Sequence, residues 1–365
     1  MMGRVSDIRS LTLPGALIIG VLAVGALLTP SAVRESFDQA GLPERPSALI
    51  KGQYTEAFED LYSESLAARE AAVTLWGVVD YALFGVGSSG VVVGRDGWLF
   101  TEEEYRTPDR SETNLNANLE FVRKVQSILS EQGIELLVTL VPAKASVYPD
   151  RLKAAVPSRR TDAYAAFVEG LMDRQIPYLD STDALVAASV NAPVFMARDT
   201  HWTPVGATVV AEAVRSEIAA RISTEAKGYR RVGSPEMMHR GDLTKFTPVG
   251  SARDWLGLGD EEVQAFEAEA PEAELDASGL FGAPEIPVAL VGTSYSAQEQ
   301  WSFAASLRLA LDADVLNLAE DGGGPVKPMA KFLDGLPSME ALPQIAIWEW
   351  PMRFVDTEYA DALAE

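Results

Sequence analysis

Residues 286–296 read IPVALVGTSYS, and the fold turns on how this stretch is parsed. Ile286 to Val291 is apolar throughout, the signature of a strand covered on both faces of a parallel sheet. Gly292-Thr293-Ser294-Tyr295-Ser296 follows at once and leads into a helical pattern near 297–311. A buried strand passing through a tight glycine turn into a helix is the repeating unit of an α/β sheet. A serine in that turn projects Oγ at the sheet's carboxyl edge. Its own N–H, near the helix N-terminus, is placed to stabilise an oxyanion. Taken alone, a G-T-S turn is more often simply a helix N-cap, and Ser296 reads as a cap residue.

The same alternation extends outward in both directions. Residues 114–132 carry a helical pattern that stops at Gly133, and Ile134 to Val141 (IELLVTLV) is another continuous apolar strand. Tyr164, Phe167, Val168, Leu171 and Met172 fall on one helix face before the short strand Ile176-Pro177-Tyr178-Leu179. A helix over 204–222 turns Val209, Val210, Val214 and Ile218 inward. After residue 291 come the strand Val315 to Leu318, a helix near 328–335 and the strand Ile345 to Trp350. Five β–α repeats predict a three-layer α/β/α fold with a five-stranded parallel sheet. Ligands bind such sheets beyond the carboxyl ends of the strands.

One loop there carries a second feature, Phe195-Met196-Ala197-Arg198-Asp199-Thr200-His201-Trp202, ahead of a helix opened by Thr203-Pro204. Asp199 and His201 stand two apart, so both side chains can face one pocket. An aspartate that accepts Nδ1–H fixes the imidazole tautomer and leaves Nε2 to take a serine proton. A structural histidine bonding its own loop is the alternative. A serine turn and an Asp/His loop on one edge of one sheet favour chemistry. The other histidine, His239, beside Arg240-Gly241-Asp242, reads as a surface residue.

Composition narrows the chemistry further. The chain has 365 residues, no cysteine, two histidines, and 53 acidic against 30 basic residues. Thiolate metal sites, iron–sulfur clusters, disulfide scaffolds and a cysteine nucleophile are excluded. No H-E-x-x-H or EF-hand pattern is present, so neither a catalytic metal nor another cofactor is expected. A net charge of −23 argues against nucleic acid. Segment 223–285 has weak periodicity, and Asp260 to Asp276 holds eight acids and no bases. It reads as a solvated insertion.

Leu11 to Leu28 (LTLPGALIIGVLAVGALL) is uncharged and follows Arg4 and Arg9. Eighteen such residues suit a transmembrane helix, and the arginines place the N-terminus in the cytoplasm. Residues 1–32 are therefore read as a signal anchor in the bacterial inner membrane, with the remainder in the periplasm. A cleaved signal peptide, releasing a soluble periplasmic protein near Pro30-Ser31-Ala32, is the alternative. Residues 33–113 read as a linker and accessory segment, 114–356 as the catalytic domain with insertion 223–285, and 357–365 as a tail.

Strand–G-x-S–helix, a later glycine loop and an Asp/His element before a helix resemble the SGNH (GDSL-like) hydrolase superfamily. Here the Asp/His element precedes the serine, and its spacing is D-x-H. Moving 286–350 ahead of 134–222 restores the usual strand order. This circular permutation, with D-T-H-W and G-T-S-Y-S, resembles the alginate O-acetyltransferase (AlgJ/AlgX-like) family. Gly94-Arg95-Asp96-Gly97-Trp98-Leu99-Phe100, Val141-Pro142-Ala143-Lys144 through Val147-Tyr148-Pro149, and Ile347-Trp348-Glu349-Trp350-Pro351 match as well.

The resemblance implies Ser294 as nucleophile, His201 as general base and acid, and Asp199 as orienting carboxylate. It implies an oxyanion hole from the Ser294 N–H and a backbone N–H of Gly322-Gly323-Gly324. The superfamily's asparagine position falls where Glu349 and Trp350 stand, which leaves a third oxyanion donor unassigned. Tyr148, Trp202, Tyr295 and Trp348 are candidate sugar-stacking residues, and Lys144 and Arg353 candidate contacts for an acidic sugar. The implied activity is O-acetylation of an exported polysaccharide, with a membrane-bound O-acyltransferase supplying acetyl groups. A carbohydrate acetyl esterase, or a non-catalytic polysaccharide-binding scaffold of an export complex, are the alternatives.

Overall fold

The structure is a computed structural model that describes residues 29–40, 51–65, 69–223, 226–271 and 286–359. The apolar run Leu11–Leu28 lies outside the described residues. Among the described residues no helix is long and apolar enough to cross a membrane. The chain divides into two compact units. The smaller holds the described residues up to Phe84 together with Pro248–Gly250, and the larger holds Gly85–Thr247 and the chain from Ser251 onward. Residues 85–113, read from sequence as accessory, thus belong to the larger unit.

In the smaller unit the helices Gln53–Ser65 and Arg69–Val79 are followed by a wide helical turn, Asp80–Phe84. Gly77 is buried there against Pro248, whose carbonyl oxygen would lie 2.3 Å from an added Cβ. No side chain fits at that approach.

The larger unit is built on five parallel strands: β1 (Glu135–Val141), β2 (Tyr178–Asp180), β3 (Val288–Val291), β4 (Val315–Asn317) and β5 (Ile345–Pro351). They lie in the order β4-β3-β5-β1-β2. The central strand β5 runs in register with β1 from Ile345↔Glu135 to Pro351↔Val141, and with β3 from Ile345↔Val288 to Trp348↔Val291. Counted from β3, the order becomes 2-1-3-4-5, the flavodoxin-like doubly wound arrangement. The chain is therefore permuted: it enters the sheet at what is ordinarily the fourth strand.

Strand residues alternate strictly between two helical layers. Leu136, Val138, Leu140, Ala289, Val291, Ala346, Trp348 and Trp350 pack with α1 (Ser111–Glu131), α2 (Ser158–Asp173) and α6 (Val326–Gly335). Leu137, Val141, Val288, Leu290, Ile345 and Ile347 face the other layer. That layer is α3 (Thr182–Ser189), α4 (Pro204–Ile218) and α5 (Phe303–Leu311). Burial on both faces is why these strands read as unbroken apolar runs. Each fully buried Leu, Ile or Phe contributes about 1.5–3 kcal/mol. Gly133 ends α1 with φ +75°, the left-handed residue that a helix stop requires.

Two local expectations are corrected. Met172, assigned inward with Tyr164 and Phe167, is 59% exposed, because at i+8 the apolar stripe has rotated off the sheet in the last turn of α2. The helix expected over 297–311 is broken. A single turn, Ser294–Ala297, leads through Glu299–Trp301 to Ser302 at φ 56°, and α5 starts only at Phe303.

Candidate active site

The carboxyl ends of the strands place the chemistry. Strand β3 ends one residue before Gly292, so Ser294 opens a helical turn and its N–H is among the donors left without an intrahelical partner. The Asp/His loop is a tight hairpin. Phe195 and Trp202 bridge, and Met196 N donates to His201 O at 3.1 Å. Thr203 then caps α4, its hydroxyl accepting from Gly206 N, with Pro204 in the first turn.

The two elements meet over the sheet edge. His201 Nε2 lies 2.7 Å from Ser294 Oγ, and His201 Nδ1 lies 2.6 Å from Asp199 Oδ1, which also accepts the His201 N–H at 2.9 Å. All three residues are buried to within a tenth of their surface. Burial works to raise the Asp199 carboxyl. Hydrogen bonds from His201 and His239, the charge on His201 and the Asp242 N–H outweigh it and hold Asp199 far below the usual carboxylate range. With Asp199 accepting at Nδ1, Nε2 is free to take the serine proton.

The triad lies on the wall of a cleft of about 1190 Å³ that Arg353, Asp321, Gly322, Gly323 and Gly324 also line. The glycine loop is tied to the serine turn. Glu320 N donates to Gly292 O at 3.1 Å, Asn317 Nδ2 to Ser296 O at 2.8 Å, and Gln298 Nε2 to Asp321 Oδ2 at 2.8 Å. Gly322 and Gly324 have φ of +79° and +63°, so this wall of backbone depends on glycine. Backbone donors that face a reacting carbonyl are what an acyl-transfer site requires.

Comparison with known proteins places this geometry. The family described as "SGNH hydrolase-like domain, acetyltransferase AlgX" matches residues 91–352. The chain belongs to that family. It is 37% identical over 318 residues to the probable alginate O-acetylase AlgJ of Pseudomonas aeruginosa, covering 84% of this chain and 81% of the relative. The corresponding protein of Azotobacter vinelandii is 35% identical over 315 residues, covering 85% and 81%. The solved O-acetyltransferase domain of Pseudomonas putida AlgJ superposes with a TM-score of 0.67 at 34% identity, covering 74% of this chain and 93% of that one.

Within this AlgX-family domain, most residues expected to touch substrate lie in the interior instead. Lys144 is fully buried and its Nζ donates to the carbonyls of Leu99 (2.6 Å), Ala197 (3.0 Å) and Asp199 (2.9 Å). It pins the Asp/His loop to the strand Leu99–Thr101, and desolvation pushes its pKa down to about 8. Tyr148 accepts the Val194 N–H and packs on Trp98. Trp202 donates to Tyr295 O, Trp348 to Pro325 O, and the Tyr295 hydroxyl to Thr200 O. Each polar end is consumed internally, so none of these rings is open to a sugar. Arg353 does line the cleft. It donates to the Tyr295 hydroxyl at 2.7 Å, and its Nε lies 3.0 Å from Glu103 Oε2.

The insertion contributes what sequence reading missed. His239, expected at the surface, donates from Nε2 to Asp199 Oδ2 at 2.8 Å. Asp242 N reaches the same oxygen at 2.8 Å, and the Asp242 carboxylate accepts from Thr200 N and Thr200 Oγ1. Glu261, from the acidic run, accepts the N–H groups of Ala197 and Arg198, both at 2.7 Å. This part of the acidic segment is a clamp on the Asp/His loop; residues 272–285 of it lie outside the described residues. Gly241 permits the approach, since a Cβ there would lie 2.2 Å from Arg198 O. The available signal was arithmetic: the chain has two histidines, and both are in the site.

Asp199, His201 and Asp242 also bring donor atoms within 4.8 Å of one another, the one such group among the described residues that could hold a metal ion. Their oxygens and Nδ1 are already engaged by the hydrogen bonds above, an arrangement suited to proton transfer. Trp301, also missed, is fully buried and stacks on His201 at 5.2 Å between ring centroids.

Proposed function

We propose that this protein is a polysaccharide O-acetyltransferase that carries the acetyl group on Ser294. The observation that supports it most directly is the continuous Ser294–His201–Asp199 chain of short hydrogen bonds, at 2.7 and 2.6 Å. It opens on a cleft, in a chain more than a third identical to probable alginate O-acetylases.

His201 Nε2 takes the Ser294 Oγ proton as Oγ attacks the acetyl carbonyl of a donor. The carbonyl oxygen gains the charge and is stabilised by the Ser294 N–H and by a backbone N–H of the Gly322–Gly323 loop. The intermediate collapses, and the departing donor group receives the proton from His201. A sugar hydroxyl then enters, gives its proton to His201 and attacks the acetyl-serine carbonyl. The second collapse returns Ser294 with its proton and leaves an O-acetylated sugar. Asp199 keeps the imidazole in one tautomer throughout.

Alginate-type polymer is the acceptor class suggested by the relatives' names. Arg353, which lines the cleft, suits an acidic sugar. Leu11–Leu28 anchors the chain in the inner membrane with its catalytic unit in the periplasm. A membrane-bound O-acyltransferase delivers the acetyl group there. The test is a chromogenic acetyl ester with and without an oligosaccharide acceptor, read by mass spectrometry. Acetylated oligosaccharide supports transfer, and ester loss without an acetylated product makes the protein an esterase. Unchanged turnover by Ser294→Ala overturns the triad assignment.

A further inference from the structure

Asp199 is held by two imidazoles, not one. Oδ1 accepts from His201 Nδ1 at 2.6 Å and Oδ2 from His239 Nε2 at 2.8 Å. His239 ends the strand Met237–His239, which pairs antiparallel with Glu261–Val263 so that His239 stands opposite Glu261. Its ring meets Trp301 edge-on, 5.1 Å between centroids at 83°, while Trp301 stacks on His201 at 16°. The three rings and the aspartate therefore form one packed assembly, and His239 also lines the cleft with its side chain 18% exposed.

We propose that His239 is a positioning residue of the acetyl-transfer site, a second imidazole that grips the outer oxygen of Asp199 and thereby fixes the plane of His201. The inference rests on the acetyl-serine reading and adds a residue to it. A carboxylate held at one oxygen alone can swing about its Cβ–Cγ bond. Oδ2 accepts the Asp242 N–H at 2.8 Å as well as His239 Nε2, so the imidazole is the side-chain half of a two-donor grip that removes that freedom. Orientation of the general base is a large part of what a triad aspartate supplies. Because Asp199 is ionised and only accepts, Nε2 of His239 carries a proton.

The assembly also has a charge consequence. The hydrogen bond to Asp199 raises the pKa of His239 against the opposing effect of burial, with the charges of Asp199, Asp242 and Glu261 adding to the rise. Beyond those three carboxylates, the cationic groups around the assembly are Arg240, next in the chain, Lys144, whose ammonium donates to the Asp199 carbonyl at 2.9 Å, and Arg198, whose guanidinium lies 3.7 Å from Glu261. The His201 ring lies across Asp199. A raised histidine keeps its positive charge to higher pH than an ordinary one and loses it as pH rises through the raised value. That cation opposes protonation of the neighbouring dyad.

The experiment compares native protein, His239→Ala, His239→Gln and Ser294→Ala as full-length chains. It measures kcat and KM for an acetyl ester across pH, with thermal melting as the control for folding. In His239→Ala kcat falls about 10- to 100-fold with KM within about twofold of native. The acidic limb of the kcat/KM profile moves to higher pH, since the opposing cation is gone. Glutamine offers an amide N–H to the same oxygen without a charge. His239→Gln therefore recovers most of kcat while keeping the shifted limb. Native kcat and an unshifted profile in His239→Ala overturn the proposal. So does a glutamine variant no faster than the alanine one, which makes the contact merely structural. Ser294→Ala separates the two claims: turnover that survives it defeats the acetyl-serine reading, whereas its loss alongside an unaffected His239→Ala defeats the positioning role alone.

Discussion

Glu349 Oε2 accepts the backbone N–H of Thr293 at 2.7 Å, joining the residue before Ser294 to the central strand of the sheet. The same carboxylate accepts from Thr293 Oγ1 and Ser296 Oγ at 3.1 Å and is completely buried. Desolvation raises its pKa. Where an asparagine donor was expected, this family member has an acceptor that holds the serine turn from beneath. Glu349→Gln, whose Oε1 can take the Thr293 N–H while Nε2 donates to a hydroxyl, keeps turnover within about threefold. Glu349→Ala leaves a buried N–H unpaired, costs about 1–3 kcal/mol and loses more than about tenfold in kcat. Chemical denaturation and ester turnover check both.

Gly292 has no room for a side chain. A Cβ there would lie 2.5 Å from Glu349 Oε2, 2.9 Å from Glu349 Cβ and 3.0 Å from Ser296 Oγ. The obstruction includes the near end of Glu349, which cannot rotate away without leaving the turn. Gly292→Ala is expected to cost about 1–3 kcal/mol of stability and to displace Ser294 from His201. A native melting temperature and native kcat in this variant would show that the turn is looser than its packing implies.

Lys144 is a staple. Its ammonium satisfies three carbonyls, one on Asp199 itself, and Glu104 accepts the N–H groups of Lys144 and Ala145 at 3.0 and 2.9 Å. Lys144→Met removes the charge but strands the carbonyls of Leu99, Ala197 and Asp199 away from water. We expect a loss of about 3–5 kcal/mol, with kcat falling as the Asp/His loop loosens. Urea melts of the variant measure the first effect, and ester turnover below its unfolding transition measures the second.

Asp199 ties stability to pH. An aspartate held below its ordinary range contributes stability that is complete above the unfolded value of about 3.9 and is lost as pH falls towards the folded value. The native protein therefore loses stability more steeply below about pH 4 than Asp199→Asn does. The difference in slope approaches about 1.4 kcal/mol per pH unit. At neutral pH the asparagine variant is less stable and nearly inactive, because its amide presents donors where four N–H groups require acceptors. Parallel stability curves from pH 6 to 3 would place the acid-sensitive carboxylate elsewhere.

How far the fold and site were legible follows from the range of the interactions involved. Strands β1 and β3 could be read because burial on both faces demands an unbroken apolar run, a purely local pattern. Ser294 was readable for the same reason, since the glycine turn that aims it is contiguous with its strand. Asp199 and His201 are two residues apart, so their partnership is nearly local too. Met172 and the break at Ser302 were not legible, because each depends on where a neighbouring element lets the helix run.

By itself the sequence determined the α/β alternation and the pairing of Asp199 with His201, because periodicity and short spacing are properties of adjacent residues, while the permuted order was legible through the family resemblance. Only the tertiary structure decided that Lys144, Tyr148, Trp202, Tyr295 and Trp348 face inward, and that His239, Asp242 and Glu261 close on the Asp/His loop. Those contacts join residues some 40 to 65 positions apart in a segment with no regular period. Charge in such a segment looks like solvation until folding supplies the backbone N–H groups that the carboxylates accept.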